Sequence, residues 1–329
     1  MTVAIGVDLG GSNLRVAAFA GDDPRPVCAH REEVGLARAP EAIVERIAAA
    51  VDHVARGAGV TDGTSLPVGV GLAAMLRDRR GTVANSPHLR WRDVAFGELL
   101  AARLGPIRPV GGYNDVNAIT WGEHVAGAGV GIDDLLAVYV GTGIGAGVIA
   151  SGRLLDGARH CAGEIGHVKV AWGDGAAPCA CGQRGCVEAY VGGSYVAARI
   201  IAALSAARAP RTRALELAGG VPGRVTPGHV DQAAADGDDW ALALWTELAP
   251  LLAVALGNAL AMLNPARLIL GGGLLSRTPT LRELTLGALM LAAPVAATDG
   301  LSIVDSTLGD DAGLLGAAHL AASGQTFAP

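Results

Sequence analysis

No signal-peptide pattern opens this sequence. It begins directly on an apolar run from Val3, so a reducing cytoplasm is expected rather than a secretory route. Nor does any uninterrupted apolar span reach the length of a bilayer crossing. The nearest, Leu248 to Leu263, is broken by Pro250, Gly257 and Asn258 and reads as a buried helix, so no membrane partner is expected. A long basic run is also missing and the net charge is −6, which argues against nucleic acid as a partner. Charge is sparse, at 17% of residues against 51% hydrophobic, and nothing in that balance suggests disorder. A chain of 329 residues with this composition buries a substantial core, most often as two domains. Cysteine is scarce at five, and three of the five fall close together.

That place runs from Glu164 to Glu188. His167 is followed by Cys179, Cys181 and Cys186, four ligands of the number and kind that a closed tetrahedral zinc site needs. Gly182 and Gly185 let the backbone turn tightly enough for the last two sulfurs to face one ion. On these residues alone other readings stay open. Cys-x-Cys is not the usual Cys-x-x-Cys knuckle, and clustered cysteines can be small buried residues. A disulfide is conceivable, though a reducing compartment opposes it. Cys28 and Cys161 read as ordinary small apolar residues. Glu164 and Glu188 flank the cluster, so a metal that clamps the loop also fixes two carboxylates. The expectation is a structural Zn2+ that shapes a substrate pocket and takes no part in the chemistry.

Elsewhere short apolar strands alternate with helical stretches. Val3 to Asp8 is a buried strand ending in a carboxylate. After Gly10-Gly11-Ser12-Asn13 a second apolar run, Val16 to Ala20, completes a hairpin. Its tip exposes backbone N–H groups and the Ser12 hydroxyl as an anion cradle, although a lone Gly-Gly tip is usually only a turn. Residues 39–57 have helical periodicity, and Pro67 to Gly71 is another strand. A basic solvated turn at residues 77–80, a polar loop from Asn85 to Trp91 and a helix near Phe96 to Leu104 follow. Val110 to Asp115 again runs a strand into a carboxylate, and Asp115 beside Asn114 either caps the next helix or serves a function. Leu135 to Val140 leads into Gly141-Thr142-Gly143-Ile144-Gly145, with Val148 to Ala150 extended beyond it. This second glycine turn is therefore also a hairpin tip and not a dinucleotide fold. Tyr190 to Leu204 reads as one helix, residues 209–228 as irregular and Val230 to Leu263 as one helical stretch. Leu268 to Leu270 delivers Gly271-Gly272-Gly273, and Ile303 to Asp305 is a last strand. Ala312 to Ala322 is a small-residue helix that packs closely. A glycine-tipped hairpin that occurs twice is the pattern of a duplicated mononucleotide-binding unit.

On these residues the chain resembles the ROK family of sugar kinases and repressors, within the actin-like ATPase clan. Asp8 to Asn13 matches the first phosphate motif, Gly141-Thr142-Gly143-Ile144-Gly145 the second, and Leu270 to Gly273 the adenosine motif. Glu164-x-Gly166-His167 with Cys179-x-Cys181-Gly182-x-x-Gly185-Cys186-x-Glu188 matches the family signature at every fixed position. The resemblance implies an α/β, ribonuclease H-like fold with two domains around a nucleotide and sugar cleft. A smaller domain would comprise residues 1–115 plus 306–329 with a returning C-terminal helix, and a larger one, 116–305, would carry the zinc loop. The implied reaction is ATP-dependent phosphoryl transfer to a hydroxyl of a hexose or hexose-like polyol, with Asp115 as general base. Asn85, Asn114, Glu164, His167 and Glu188 would hold the sugar, His167 also binding zinc. Asp8, Gly10, Gly11, Ser12, Asn13, Gly141, Thr142, Gly143, Gly271, Gly272 and Gly273 would hold ATP and its Mg2+. Relatives are commonly dimers or tetramers, so a homodimer or homotetramer is expected. The family's repressors carry a DNA-binding helix-turn-helix ahead of the first phosphate motif, and with that motif at Asp8 none is expected here.

Two departures fall in the segment that the family lays over the sugar. Ala73-Ala74 stands where glucose-using relatives usually read Pro-Gly, and Asn85-Ser86-Pro87-His88-Leu89 has His88 where they read a second Asn. Ala74 adds a methyl where glycine backbone would approach the ligand, and His88 exchanges an amide for a titratable ring. The acceptor is therefore expected to be something other than plain glucose, or glucose taken weakly. An N-acetylhexosamine or a sugar-like C7-cyclitol is the alternative, and a non-catalytic sugar-sensing regulator is the rival reading.

Overall fold

Residues 3–7 are apolar on both faces, as a strand covered on both sides must be, and with Asp8 and Leu9 they form the middle strand of the first sheet. The structure is a computed structural model that describes residues 3–21, 23–61, 65–78 and 81–323. Arg79 and Arg80 of the expected basic turn lie outside the described residues. In chain order the strands are β1 (Val3–Leu9), β2 (Asn13–Ala20), β3 (Cys28–Glu33), β4 (Val68–Leu72), β5 (Met75–Leu76), β6 (Val83–Ser86), β7 (Trp91–Val94) and β8 (Val110–Asn114). They continue with β9 (Leu135–Val140), β10 (Ile144–Ala150), β11 (Arg153–Leu154), β12 (Arg267–Gly271) and β13 (Ser302–Asp305). The helices are α1 (Pro40–Gly57), α2 (Phe96–Leu104), α3 (Asp115–Ala126), α4 (Glu188–Val191), α5 (Gly193–Leu204) and α6 (Arg213–Leu217). After them come α7 (Pro227–Ala235), α8 (Asp239–Leu263), α9 (Pro279–Ala292), α10 (Val295–Thr298) and α11 (Ala312–Ala322).

Contacts group the chain into two compact units. One holds Met1–Leu135, Gly147–Gly163 and Ser306–Pro329, the other Leu136–Ala146 and Glu164–Asp305. Residues 116–135 and 147–163, expected with the larger domain, group with the first unit. The reason for the first of these segments is that α3 packs along α11.

The first unit is built on a sheet of order β3-β2-β1-β4-β8, in which β1, β4 and β8 run parallel. Period-2 alternation sends Ile5, Val7 and Leu9 to one face, where they meet Ile43, Ile47, Val51 and Val54 of α1 and Leu100 of α2. On the other face Ala4, Ala17 and Phe19 pack on Leu314, Leu315 and Ala318 of α11. There the helix lies directly on the sheet. A Cβ on Gly6 or Gly69 would come within 1.9 or 1.8 Å of the α11 carbonyl oxygens of Leu314 and Ala317. The returning chain is tied down by Glu123 of α3, whose side chain is completely buried. Its carboxylate accepts from the N–H groups of Ala128 (2.7 Å), Thr307 (2.9 Å) and Leu308 (2.9 Å) and from the hydroxyls of Ser306 (2.6 Å) and Thr307 (3.1 Å). A small antiparallel sheet of order β5-β6-β7 completes this unit.

The second sheet has the order β11-β10-β9-β12-β13, with β11 and the outer half of β10 counted in the first unit. In the second unit α7, α8 and α9 pack together, and the buried carboxylate of Asp231 accepts from the N–H groups of Thr280 (3.2 Å) and Leu281 (3.2 Å) at the start of α9. The stretch from Val230 to Leu263 is two helices rather than one. Gly237, at φ 87°, turns the chain, and Asp238 caps α8 by accepting from Ala241 N–H at 2.9 Å. Starting at Asp239, α8 has 25 residues and is long and apolar enough to cross a bilayer, which the sequence reading did not expect. Its apolar side is spent in the core instead, where Trp245, Leu248, Leu252, Leu256 and Leu260 are fully buried. The expected helix from Tyr190 to Leu204 is likewise divided, at Gly192, into α4 and α5, and the stretch read as irregular contains α6. Cys161, expected as a small apolar residue, is exposed, and its thiol donates to the Arg159 carbonyl at 3.1 Å.

Candidate active site and metal centre

Strand register assembles the first group of residues. Asp8 pairs with Gly71, Gly71 with Tyr113 and Leu72 with Asn114, so β1, β4 and β8 bring their carboxyl ends to one edge. In open α/β sheets that edge is where ligands bind. Asp8 sits there with Arg15 as its cross-strand neighbour, and the guanidinium donates to Asp8 Oδ2 at 2.9 and 2.7 Å. Asp8 Oδ1 has no hydrogen-bond partner among the described residues, which leaves it for a hydrated cation. Asn114, not Asp115, is the cap of α3: its Oδ1 accepts from the N–H groups of Val116 (2.9 Å) and Asn117 (3.2 Å). Its amide donates to the Ala74 carbonyl at 3.4 Å. Asp115 is the first residue of the helix, with Oδ1 accepting from Val116 N–H at 2.9 Å. Carboxylates are favoured at that position by the positive end of the helix dipole. Asn85 lies half-buried in β6, opposite Met75 and Arg92. Ser86 is buried beside it and donates to the Ala73 carbonyl at 2.9 Å. Gly10, Gly11, Ser12 and Asn13 form the tip between β1 and β2, where Arg31 donates to Asn13 Oδ1 at 3.3 Å.

In the second unit, the Gly141–Gly143 turn and the Gly271–Gly273 turn lie side by side. Leu274 N–H donates to the Val140 carbonyl at 2.9 Å, and a Cβ on Gly141 would be 3.9 Å from Gly273 N. The start of α5 is fastened to the same turn, Gly193 N–H donating to Gly141 O and the Ser194 hydroxyl to Thr142 O. Glu188 reaches this turn as well, its Oε2 accepting from Ile144 N–H at 2.7 Å. Burial pushes the Glu164 carboxyl above its ordinary range, the His167 ring opposing that rise and the Glu188 carboxylate adding to it.

The four expected metal ligands converge. One ligand atom from each of His167, Cys179, Cys181 and Cys186 lies within 4.8 Å of all the others. Cys181 Sγ and Cys186 Sγ are 3.7 Å apart, as are Cys179 Sγ and His167 Nδ1. Zinc–sulfur bonds of about 2.3 Å at the tetrahedral angle require edges of roughly 3.8 Å, which these two pairs match, so the donor set could hold Zn2+. The other ring nitrogen of His167, Nε2, faces Glu164 Oε2 at 3.8 Å. Lys169 donates to Cys186 Sγ at 3.0 Å, placing a cation against the thiols. Burial pushes the Cys179 thiol up, a penalty that a divalent cation held there would remove.

Residues 4–323 match the ROK family model. The chain belongs to the ROK family. It is 32% identical over 334 residues to a glucokinase of Streptomyces coelicolor, covering 98% of each chain. Among solved structures, a ROK family glucokinase from Streptomyces griseus in complex with glucose and AMPPNP is 29% identical, with a TM-score of 0.78 over 98% of this chain and 99% of that one. A ROK hexokinase from Thermus thermophilus is 28% identical, with a TM-score of 0.81 over 98% and 99%. The fold is accordingly the actin-like ATPase fold of the ROK family. Three side chains at these sites were absent from the sequence reading. Arg15 could have been found, because a tight hairpin sets it directly across from Asp8. Lys169, and Arg38, whose guanidinium donates to the Gly11 carbonyl at 3.0 Å, act across loops whose path no local pattern encodes.

Proposed function

We propose that this ATP-dependent carbohydrate kinase phosphorylates a hydroxyl of a hexose or hexose-like polyol, with Asp115 as general base. The observation that carries the reading is the shared carboxyl edge of β1, β4 and β8, which puts Asp115 on the same edge as Asp8 and the glycine tip. A sugar hydroxyl is a weak nucleophile, and a carboxylate that takes its proton as the phosphoryl group moves lowers the barrier. Asp8 holds a hydrated Mg2+ through its unpartnered oxygen, and the cation neutralises phosphate charge. Glu164, Glu188 and His167 accept and donate hydrogen bonds to sugar hydroxyls, while Asn114 and Asn85 line the acceptor side in the first unit. Zn2+ on His167, Cys179, Cys181 and Cys186 supplies rigidity alone. ATP phosphates go to the Gly10–Asn13, Gly141–Gly143 and Gly271–Gly273 turns. Free thiols in the metal set suit a reducing cytoplasm, and a homo-oligomer is the proposed assembly.

Ala74 is buried and its carbonyl is bound to Asn114, so the added methyl sits in a fixed backbone. That favours an acceptor other than glucose, such as an N-acetylhexosamine or a C7-cyclitol. The test is ADP release from Mg-ATP across glucose, mannose, fructose, allose, N-acetylhexosamines and C7-cyclitols. One strong acceptor supports the kinase and names its substrate; efficient glucose turnover removes the argument from Ala74. Silence from folded, zinc-loaded protein across the panel overturns the reading.

A further inference from the structure

His88 lies in the loop that the family places over the sugar, yet it stands directly against Gly11 of the phosphate-binding tip. A Cβ built on Gly11 would come within 2.8 Å of His88 Cβ and 3.3 Å of its Cγ, so the side chain leaves the backbone in contact with Gly11. Arg38 locks the two segments together. Its guanidinium donates to the Gly11 carbonyl at 3.0 Å and to the His88 carbonyl, and its own carbonyl accepts from Trp91 Nε1 at 2.6 Å. On either side of His88 the loop is anchored: Ser86 and Leu89 are fully buried, and Leu89 N–H donates to the Ser86 hydroxyl at 3.4 Å. The backbone is therefore held while the imidazole stays exposed. At the tip itself, the N–H groups of Gly11 and Ser12 have no acceptor among the described residues. The Gly11 and His88 carbonyls, which would repel an anion, are both covered by Arg38.

We propose that His88 completes an anion cup with the N–H groups of Gly11 and Ser12 and contacts the terminal phosphate of the nucleoside triphosphate. Two backbone donors beside an exposed imidazole are the chemistry that recognises a phosphoryl oxygen. The assignment rests on the kinase reading and changes one part of it. The residue that departs from the family's asparagine then reads the group being transferred, not the acceptor.

The test compares Mg-AMPPNP with Mg-ADP, which differ in the terminal phosphate, by calorimetry on the full chain and on His88→Ala and His88→Asn. His88→Ala is expected to weaken AMPPNP about tenfold, the loss of one charge-assisted hydrogen bond, and to leave ADP affinity and the melting temperature unchanged. His88→Asn, which restores an N–H donor, is expected to recover part of the AMPPNP affinity. Equal weakening of both nucleotides, or of neither, overturns the proposal while leaving the kinase reading in place. A change confined to the acceptor KM also overturns it, assigning His88 to the sugar. If the unaltered protein binds neither nucleotide, the kinase reading falls with it.

Discussion

Asp115 and Glu188 are both carboxylates proposed to face the acceptor, but they are held by different physics. Asp115 stands at the end of β8, whose register with its parallel neighbour β4 is set by backbone hydrogen bonds and by α2 and α11 packed against it. Glu188 begins a four-residue helix just after Cys186, in a stretch from Glu164 with little regular structure, where only isolated bridges such as Lys169 to Cys186 are made. The first carboxylate is positioned by the fold; the second, on the proposed reading, depends on a cation held by the His167, Cys179, Cys181 and Cys186 cluster. One half is intrinsic and the other conditional.

The largest expected effect tests the intrinsic half. Asp115→Ala should lower kcat by about 10²–10⁴ with acceptor affinity close to normal, measured by ADP release and calorimetry. Unchanged turnover would end its role as base. Next comes the conditional half. Removing zinc by chelation, or Cys186→Ala, should raise the acceptor KM by roughly 10–100-fold. The same treatment should strip hydrogen-exchange protection from residues 164–188 while residues 3–20 keep theirs. Equal protection in both regions, with and without metal, would erase the contrast. Lys169→Met sharpens it further. Taking the ammonium off Cys186 should speed zinc loss to a chelator several-fold, whereas Lys169→Arg should not; identical release rates would make Lys169 a bystander.

The smallest effect is in pH. Glu164 accepts hydrogen bonds when ionised, and its raised pKa means protonation starts at a higher pH than for an ordinary carboxylate. Acceptor KM should therefore rise on acidification from a point above the usual glutamate range, and Glu164→Gln should remove that limb of the profile. The sign for stability is opposite. A folded state that holds this proton more tightly is favoured at low pH and loses that contribution as pH rises from the unfolded to the folded pKa.

Much of the intrinsic half was legible. The hairpin from Val3 to Ala20, the strand into Asn114-Asp115 and the close packing of residues 312–322 all follow from apolar periodicity, glycine tips and small side chains. The convergence of His167, Cys179, Cys181 and Cys186 was legible for another reason, since these side chains cluster in sequence. β3 was missed because it is an edge strand with half its residues exposed, so His30, Arg31, Glu32 and Glu33 dilute the apolar pattern. The join of α7 to α8 was misread because apolar residues continue across it, and only Gly237 marks the turn. Asp115 was weighed as a cap because Asn and Asp cap equally well; the backbone decides, giving the cap to Asn114. Arg38 was invisible because its partners, Gly11 and His88, meet only in the folded chain.

The seating of α11 against Gly6 and Gly69 also bears on how the protein is made. β1 leaves the ribosome early, whereas residues 312–322, which cover its second face, are among the last described residues to be translated. At roughly 5–20 residues per second, that face stays bare for tens of seconds. The first unit therefore cannot finish folding in the order in which it is synthesised. During that interval Ala4, Ala17 and Phe19 offer nascent chains a surface on which to aggregate, and offer chaperones a surface to hold.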